Sequence, residues 1–335
     1  MSKKIAINGF GRIGRNAFKI ALGRDDIEVV AINDLVAPAA LAHLLKYDST
    51  YGPFDGEVSS TDNSLIVNGK SCAVYAEKDP GQLPWGDLGV DVVIESTGRF
   101  VNPDKAKAHI RAGAKKVILS APAKGAGATT IVLGVNDSDV AGAGEILSNA
   151  SCTTNCIAPV MSVLENNFGV EKAMMSTVHS YTSDQRLLDA PHSDERRMRS
   201  AGQNIIPTST GASIAATEVI PSLKDKFGGL SLRVPTPVAS IADITALMKQ
   251  DVTVGEVNDV FRKAAQEDYY QGILDATDEK LVSSDFIGNP CSSIVDLSLT
   301  AVVQGNLLKV VAWYDNEWAY SNRLVELTAD VAKLV

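Results

Sequence analysis

A cysteine lies among hydroxyl and amide side chains in the segment SCTTNC, residues 151–156, directly before the apolar run IAPVM. This pattern predicts that a helix starts near Cys152. Unpaired backbone N–H groups at a helix N-terminus stabilise negative charge, so they would lower the pKa of the Cys152 thiol and would also hold an oxyanion or a phosphate. A free cysteine is more often a buried structural residue. The hydroxyl-rich setting of Cys152 favours a reactive thiol instead.

His179 is the expected partner of Cys152, because it ends an apolar segment that predicts a strand. An imidazole beside a thiol accepts the thiol proton and supplies a general base worth roughly 10²–10⁴ in rate. The other histidines are weaker candidates. His43 and His109 fall in predicted helices and are expected to be solvated, and His192 lies in a charged loop.

A glycine-rich turn near the N-terminus predicts a dinucleotide site. The strand-like segment KIAIN runs into GFGRIG, where Gly9, Gly11 and Gly14 fit the pattern G-x-G-x-x-G. Helical spacing follows the turn, and a second strand leads to Asp34. Such glycines permit a tight turn and close approach of a pyrophosphate, while an acid about 20 residues further on accepts the ribose hydroxyls.

The composition favours a two-domain enzyme that stays in the cytoplasm. The chain has 335 residues, which is long for a single core, and no apolar run or leader pattern predicts a membrane partner or export. A net charge of −9 argues against a nucleic-acid partner. Four cysteines are too few for a disulfide framework, and Cys152 and Cys156 lack the spacing of zinc ligands, so no metal is expected.

The first half of the chain alternates strands and helices. Buried strands are predicted at 91–97, 116–120 and 131–135, with a helix at 105–112. This alternation predicts a doubly wound parallel sheet of the Rossmann type. Because cofactors bind at the carboxyl ends of such strands, Thr97 and Ser120 are further candidates for the cofactor site.

The second half has a different pattern, which predicts an α+β domain with a mostly antiparallel sheet. Strands are expected at 173–179, 230–234, 242–249, 293–303 and 307–314. A capping box at Thr253 predicts a helix. The polar stretch at 180–204 is too long for an ordinary connection, so it is expected to be functional or packed on a neighbour. We expect a dinucleotide-binding domain at 1–150 and a catalytic domain at 151–315.

From end to end, the chain resembles the phosphorylating glyceraldehyde-3-phosphate dehydrogenases. The resemblance rests on NGFGRIGR at residues 8–15, SNASCTTNC at 148–156 and WYDNEWAYS at 313–321. It implies NAD as the cofactor and a homotetramer in which the 180–204 loop lies against a neighbouring subunit. It also implies that the C-terminal helix, residues 316–335, returns to the cofactor domain.

The resemblance also assigns roles to individual residues. Cys152 is the implied nucleophile and His179 the implied base. The implied cofactor residues are Gly9, Gly11, Arg12, Ile13, Gly14, Asp34, Lys78, Ser120, Asn316 and Tyr320, of which Asn316 would bind the nicotinamide carboxamide. The implied phosphate residues are Ser151, Thr153, Thr210 and Gly211 for inorganic phosphate, Thr182 and Arg233 for the substrate phosphate, and Arg197 as a further phosphate-site arginine.

The implied reaction oxidises D-glyceraldehyde 3-phosphate through a Cys152 hemithioacetal and thioester, from which inorganic phosphate releases 1,3-bisphosphoglycerate. A sister enzyme that oxidises erythrose 4-phosphate would keep the nucleophile and most phosphate contacts, so it remains an alternative. A non-enzymatic binding role is a second alternative. A purely structural Rossmann module is disfavoured by the set Cys152, His179 and Asn316.

The sequence predicts a preference for NAD over NADP. The Asp34 charge would repel a 2′-phosphate, and Leu35 follows it as in NAD-specific relatives. Ala190 matches relatives that accept NADP, whereas Pro191 matches those that do not. We therefore expect NAD to be preferred, with weak NADP activity.

Overall fold

The computed structural model describes residues 2–335, and the chain folds into two compact units. Unit 1 takes the residues through Ile131, Asn136–Ala150 and Ser321–Val335. Unit 2 takes Val132–Val135 and Ser151–Tyr320.

Unit 1 contains a nine-stranded sheet that is parallel except at one edge. Its strands are β1 (Lys3–Asn8), β2 (Ile27–Asn33), β3 (Val58–Ser60), β4 (Ser64–Val67), β5 (Lys70–Tyr75), β6 (Val92–Glu95), β7 (Lys116–Leu119), β8 (Thr129–Thr130) and β9 (Ile146–Ser148). The order across the sheet is β3-β4-β5-β2-β1-β6-β7-β9-β8. All pairs from β5 to β8 in this order are parallel, whereas β3, β4 and β5 pair antiparallel. The order reverses at β1, which confirms the Rossmann-type sheet.

Within residues 2–335, unit 1 contains four α-helices, one of which has a side-chain N-cap. They are α1 (Arg12–Ala21), α2 (Pro38–Lys46), α3 (Trp85–Leu88) and α4 (Pro103–Arg111). At the start of α4, the Asn102 side-chain oxygen accepts a hydrogen bond from the Asp104 N–H at 3.0 Å. Pro103 occupies the first helical position, where its missing N–H costs nothing.

The predicted strand at 131–135 is wrong. Strand β8 ends at Thr130, and residues 133–135 form a turn in which Gly134 has a φ of +82°. A Cβ at this glycine would lie 2.9 Å from Ile273, so the turn needs glycine. The apolar run is buried without being extended, and periodicity cannot distinguish these cases. The pattern also misses β9, whose three residues are too few to show a period.

Unit 2 contains an eight-stranded, mostly antiparallel sheet, as predicted. Its strands are β10 (Val170–Ser180), β11 (Ile206–Ser209), β12 (Phe227–Val234), β13 (Ser240–Met248), β14 (Leu274–Thr277), β15 (Ser293–Asp296), β16 (Ala301–Val303) and β17 (Leu307–Tyr314). The order is β11-β12-β10-β13-β17-β15-β14, and β16 also pairs with β17. Only β10 with β12 and β14 with β15 pair in parallel within this sheet of the described chain.

The remaining helices are α5 (Cys152–Phe168), α6 (Ala212–Val219), α7 (Val254–Ala264) and α8 (Trp318–Lys333). The capping box of α7 is confirmed, since Thr253 and Glu256 exchange side-chain to backbone hydrogen bonds. The predicted strand at 293–303 is instead divided between β15 and β16. Residues 181–205, which the structure describes throughout, form no helix or strand. No helix within residues 2–335 has both the length and the apolar character needed to span a bilayer.

Candidate active site

Cys152 is the first residue of α5, and Ser151 caps that helix. The Ser151 hydroxyl oxygen accepts a hydrogen bond from the Thr154 N–H at 3.0 Å. The N–H groups of Cys152 and Thr153 are directed toward the Cys152 sulfur. Just before the cap, Ala150 has a φ of +52°, which a non-glycine residue adopts only where its surroundings enforce it. The predicted helix start at Cys152 is confirmed.

His179 lies at the end of β10 and faces Cys152. Its Nε2 is 3.4 Å from the Cys152 Sγ. Its Nδ1 lies 2.6 Å from the carbonyl oxygen of Ser180, which only accepts hydrogen bonds. We assign the ring proton to Nδ1, because the Ser180 carbonyl oxygen can only accept and is the shorter contact, and Nε2 then presents its lone pair to the thiol. In this tautomer the Arg233 Nη1, 2.9 Å from the same Nδ1, directs its hydrogen to the Ser180 carbonyl oxygen and not to the ring. This arrangement suits removal of the thiol proton by His179.

Both members of this pair are uncharged in the free protein near pH 7. Burial, together with the nearby Arg233 guanidinium, lowers the pKa of His179 to about 3. Burial of the sulfur raises the pKa of Cys152, although Arg233 and the N–H groups of α5 act in the opposite direction. The prediction of a lowered thiol pKa is therefore wrong, because the cost of burying a thiolate exceeds these stabilising interactions.

Arg233 lies beside His179 because β10 and β12 pair in the register His179 to Arg233. Its Nη1 is 2.9 Å from the His179 Nδ1 and donates to the Ser180 carbonyl oxygen at 3.2 Å. A guanidinium at that distance opposes protonation of the imidazole. The Arg233 Nε is buried and has no hydrogen-bond partner within residues 2–335. A buried N–H without a partner is costly, so this atom is suited to an anionic ligand.

Tyr314 is a buried residue of the site to which sequence reasoning gave no role. Its ring lies edge-on to that of His179, with the ring centroids 6.0 Å apart. Its hydroxyl group is 2.9 Å from the Thr153 Oγ1 and 2.8 Å from the Thr177 Oγ1. Burial raises the pKa of Tyr314, so the side chain stays a neutral phenol. These hydroxyls connect the first turn of α5 with β10 and β17.

The residues assigned to inorganic phosphate differ in their availability. The hydroxyls of Ser151 and Thr153 are already engaged, the first in the cap of α5 and the second with Tyr314. Thr210 and Gly211 directly precede α6, and Gly211 is exposed at the cap position of that helix. The N-terminus of α6 therefore offers backbone N–H groups at this point.

The residues assigned to the substrate phosphate lie partly in the 180–204 loop. Thr182 is half-buried there. Arg197 is already paired: its Nη1 donates to the Asp184 carboxylate, while its Nε and Nη2 donate to the Thr208 Oγ1 at 3.0 and 2.9 Å. A phosphate at Arg197 would therefore compete with Asp184.

Asn316 lies two residues before α8 and Tyr320 lies in its first turn, and both residues are buried. The Asn316 Oδ1 accepts a hydrogen bond from the Ser240 hydroxyl at 3.0 Å. Sequence reasoning gave Ser240 no role, and no local pattern marks it.

Unit 1 holds a cavity of about 580 Å³ at the carboxyl ends of β1, β2 and β6. Five residues predicted for the cofactor line it: Gly9, Gly11, Asp34, Lys78 and Thr97. The other residues predicted for unit 1 lie outside this lining: Arg12, Ile13, Gly14 and Ser120. The Arg12 guanidinium donates to the Asp48 carboxylate at 2.8 Å, so Arg12 is already paired with an acidic residue of unit 1.

The three glycines of the turn fit a bound dinucleotide. Gly9 has a φ of +94°, and a Cβ at Gly14 would lie only 2.1 Å from the Gly9 carbonyl oxygen, so both are required for the turn and for packing. A Cβ at Gly11 would meet no atom within 4 Å, which leaves room for a pyrophosphate to approach. Asp34 is held at the cavity by the N–H groups of Phe10 and Val36, at 2.8 and 3.1 Å.

His109 is buried, so the prediction that it is solvated is wrong. The Trp85 indole N–H donates to its Nδ1 at 3.0 Å, and its Nε2 lies 3.1 Å from the Glu95 carboxylate. His109 lies on the buried face of α4. The short helical pattern in the sequence did not show which face of this helix is buried. His43 is exposed, as predicted. Residues 2–335 contain no cluster of His, Cys, Asp or Glu side chains arranged to hold a metal ion.

The fold and the site together define a Rossmann-type dinucleotide-binding protein with a thiol and imidazole pair in its second unit. Comparison with known proteins narrows this class. The family model for the glyceraldehyde 3-phosphate dehydrogenase NAD binding domain matches residues 3–103, and the model for the C-terminal domain of the same family matches residues 151–316. The chain belongs to the glyceraldehyde 3-phosphate dehydrogenase family.

Curated relatives match along the whole chain. The chain is 54% identical to the glyceraldehyde-3-phosphate dehydrogenase of Geobacillus stearothermophilus over 333 residues, which is 99% of each chain. It is 53% identical to glyceraldehyde-3-phosphate dehydrogenase 1 of Bacillus subtilis over 334 residues, again 99% of each. The enzyme of Borreliella burgdorferi is 54% identical over 336 residues, which cover 98% of this chain and all of the relative.

Proposed function

We propose that this chain is a glycolytic oxidoreductase that converts D-glyceraldehyde 3-phosphate and inorganic phosphate into 1,3-bisphosphoglycerate, with NAD as the hydride acceptor. The observation that carries the proposal is the 3.4 Å contact between the Cys152 Sγ and the His179 Nε2 at the N-terminus of α5. Membership of the family supports the choice of substrate, since the curated relatives are named for this aldehyde.

In the first half of the reaction, Cys152 attacks the aldehyde carbon as its proton passes to the His179 Nε2. The C–S bond forms while the carbonyl oxygen takes up negative charge, and the Cys152 N–H is a donor for that oxygen. His179 then returns a proton to the oxygen and removes it again as the carbon is oxidised. NAD, held by the cofactor residues proposed below, would take up the hydride that this carbon loses, which leaves a thioester on Cys152.

In the second half, a phosphate oxygen attacks the thioester carbon and the C–S bond breaks. The product is an acyl phosphate, and Cys152 is regenerated. We propose Ser151, Thr153, Thr210 and Gly211 as the residues for inorganic phosphate and Thr182, Arg233 and Arg197 for the substrate phosphate. The unpartnered Nε of Arg233 supports its assignment.

For the cofactor we propose Gly9, Gly11, Asp34 and Lys78, which line the unit 1 cavity, together with Arg12, Ile13, Gly14, Ser120, Asn316 and Tyr320. We infer that NADP is used only weakly, because the Asp34 carboxylate would face the 2′-phosphate. Replacing Asp34 by Gly should narrow the difference in kcat/KM between NAD and NADP, chiefly by lowering the KM for NADP. Equal kcat/KM for the two cofactors in the unmodified chain would contradict this role of Asp34.

We also propose a cytoplasmic homotetramer, with the domain division placed at residues 150 and 151. The irregular 180–204 loop exposes two large apolar side chains, Leu187 at 79% and Leu188 at 70%. Such exposure is suited to contact with another subunit. Light scattering of an active, stable monomer would contradict the assembly.

The decisive assay measures initial rates of NADH formation with glyceraldehyde 3-phosphate and with erythrose 4-phosphate, each with and without inorganic phosphate. The proposal predicts the highest kcat/KM for glyceraldehyde 3-phosphate and a requirement for phosphate in steady turnover. A higher kcat/KM for erythrose 4-phosphate would identify the sister activity. Absence of turnover with either aldehyde would leave only a binding role.

A further inference from the structure

The Ser240 hydroxyl joins two groups of the proposed active site. Ser240 is the first residue of β13 and is 1% exposed. Its Oγ accepts a hydrogen bond from the Ser180 N–H at 3.1 Å and donates to the Asn316 Oδ1 at 3.0 Å. Ser180 in turn accepts, through its carbonyl oxygen, the hydrogen bond from the His179 Nδ1. One buried hydroxyl therefore lies between the residue that holds the imidazole and the amide of Asn316.

The hydrogen count at Ser240 determines which way the Asn316 amide faces. A hydroxyl group has one hydrogen, and a backbone N–H can only donate. Within residues 2–335, the Asn316 Oδ1 is the only acceptor for the Ser240 hydrogen. If the amide were turned over, its NH₂ group would face Ser240 and the Ser240 hydrogen would lose its partner in a buried place.

The backbone around Ser240 is held in place. Ala239 has a φ of +67°, an uncommon conformation for a residue with a side chain. Its carbonyl oxygen accepts from the Ser180 Oγ at 2.9 Å, and the same Ser180 hydroxyl is 3.0 Å from the Thr236 Oγ1. Strained non-glycine residues persist only where surrounding contacts enforce them, and they are concentrated at functional sites. The position of the Ser240 hydroxyl is therefore fixed from both sides.

The orientation leaves the Asn316 Nδ2 available to a ligand. Within residues 2–335, the side-chain hydrogen bond of Asn316 is the one that its Oδ1 accepts from Ser240. With the amide in this orientation, its NH₂ group can donate to a carbonyl oxygen of a ligand. In the opposite orientation the amide oxygen would face the ligand and would accept from an N–H group.

We propose that Ser240 is a positioning residue that fixes the Asn316 amide with its NH₂ group toward the carbonyl oxygen of the nicotinamide carboxamide. The inference rests on the proposed function, because that function assigns the carboxamide to Asn316. Ser240 touches neither cofactor nor substrate in this role. It acts by preventing rotation of the amide.

The test compares two ligands, NAD and ADP-ribose, which lacks the nicotinamide. In Ser240→Ala the dissociation constant for NAD, measured by calorimetry, should rise by about 3- to 10-fold, the factor expected for one neutral hydrogen bond. The dissociation constant for ADP-ribose should not change. Ser231→Ala is the matched control, because Ser231 is also a buried serine of the same sheet and its Oγ has no hydrogen-bond partner within residues 2–335. It should change neither constant.

Asn316→Ala separates this inference from the proposed function. If Asn316 binds the carboxamide, Asn316→Ala weakens the binding of NAD but not that of ADP-ribose. The ratio of the NAD dissociation constant to the ADP-ribose dissociation constant therefore rises, and adding Ser240→Ala to Asn316→Ala does not change this ratio further. An equal loss for both ligands in Ser240→Ala, or an unchanged ratio, would overturn the role of Ser240 alone. If Asn316→Ala leaves the ratio unchanged, the assignment of Asn316 falls, and the inference falls with it. Should Ser240→Ala fold poorly, the same ratio of dissociation constants is measured in Ser240→Cys, which keeps only a weak donor. The ratio should rise there too, and an unchanged ratio would overturn the role of Ser240.

Discussion

Two histidines of this chain are buried almost completely, and only one of them is placed to do chemistry. His109 in unit 1 is 0% exposed and His179 in unit 2 is 3% exposed. The indole N–H of Trp85 and the carboxylate of Glu95 occupy both ring nitrogens of His109. In His179, a backbone carbonyl occupies Nδ1 while Nε2 faces the Cys152 thiol.

The comparison shows that burial alone does not identify a base. An indole only donates, so the His109 Nδ1 must accept and its Nε2–H must donate to Glu95, which leaves no lone pair for a reaction. At His179 the proton is held on Nδ1, and the lone pair on Nε2 is directed at a weakly acidic group. The partner of the second nitrogen therefore decides whether a buried histidine is structural or reactive.

The largest expected effect is at the thiol that faces His179. Cys152→Ser should lower turnover at least roughly 10³-fold, because a serine hydroxyl is less acidic and less nucleophilic than a thiol and cannot form the thioester. Cys156→Ser is the control. Cys156 is fully buried, its Sγ contacts the Ser293 Oγ at 3.8 Å, and its replacement should retain most activity. Equal losses in the two variants, measured as kcat, would remove Cys152 from its role.

The next effect concerns Arg233, which together with the larger effect of burial lowers the pKa of His179. Arg233→Lys retains the charge but loses the planar fork, so we expect kcat/KM to fall by an amount equivalent to about 1–3 kcal/mol, mainly through a higher KM for the aldehyde phosphate. Steady-state kinetics at several concentrations of aldehyde and of inorganic phosphate measure this. Arg262→Lys, at an exposed arginine of α7, serves as the control. Unchanged kinetics in Arg233→Lys would place the anion elsewhere.

A third effect is on stability in acid and not on the reaction rate. The pKa of His179 is about 3 in the folded chain and 6.5 in an ordinary histidine, so the unfolded chain binds a proton between these values and the folded chain does not. The free energy of unfolding should therefore fall as the pH drops from 6.5 toward 3, by up to about 1.4 kcal/mol per pH unit from this group. Above pH 6.5 the group should have no effect.

Denaturant unfolding at pH 7, 6 and 5 measures this slope. His179→Gln should flatten it, whereas His43→Gln, at an exposed histidine, should leave it unchanged. If His179→Gln kept the slope of the unmodified chain, His179 would not be the buried neutral group described above.

Local patterns were sufficient to predict the elements that carry the site. The glycine turn before α1, the start of α5 at Cys152 and the strand that ends at His179 are each encoded by residues close in sequence. The environment of His109 was not predictable, because it depends on Trp85 and Glu95, which come from other elements. The hydroxyl contacts of Tyr314 and Ser240 are likewise made across strands far apart in sequence.

The sign of the Cys152 pKa shift was predicted wrongly for a related reason. The sequence shows the helix N-terminus, which stabilises a thiolate, but it does not show how much protein surrounds the sulfur. Burial was the larger effect. A local motif thus identified the reactive group, while tertiary packing determined its resting protonation state.

The central claim is that His179, and not His109, removes the proton from Cys152. The most direct measurement is the pre-steady-state burst of NADH on mixing the NAD-loaded chain with glyceraldehyde 3-phosphate, in the unmodified chain, His179→Asn and His109→Gln, each at equal folded concentration by circular dichroism. We predict that the burst rate is roughly 10²–10⁴-fold lower in His179→Asn than in the unmodified chain and is unchanged in His109→Gln. Loss of the His109 hydrogen bonds should lower only the free energy of unfolding. An unchanged burst in His179→Asn, or an equal loss in His109→Gln, would contradict the account.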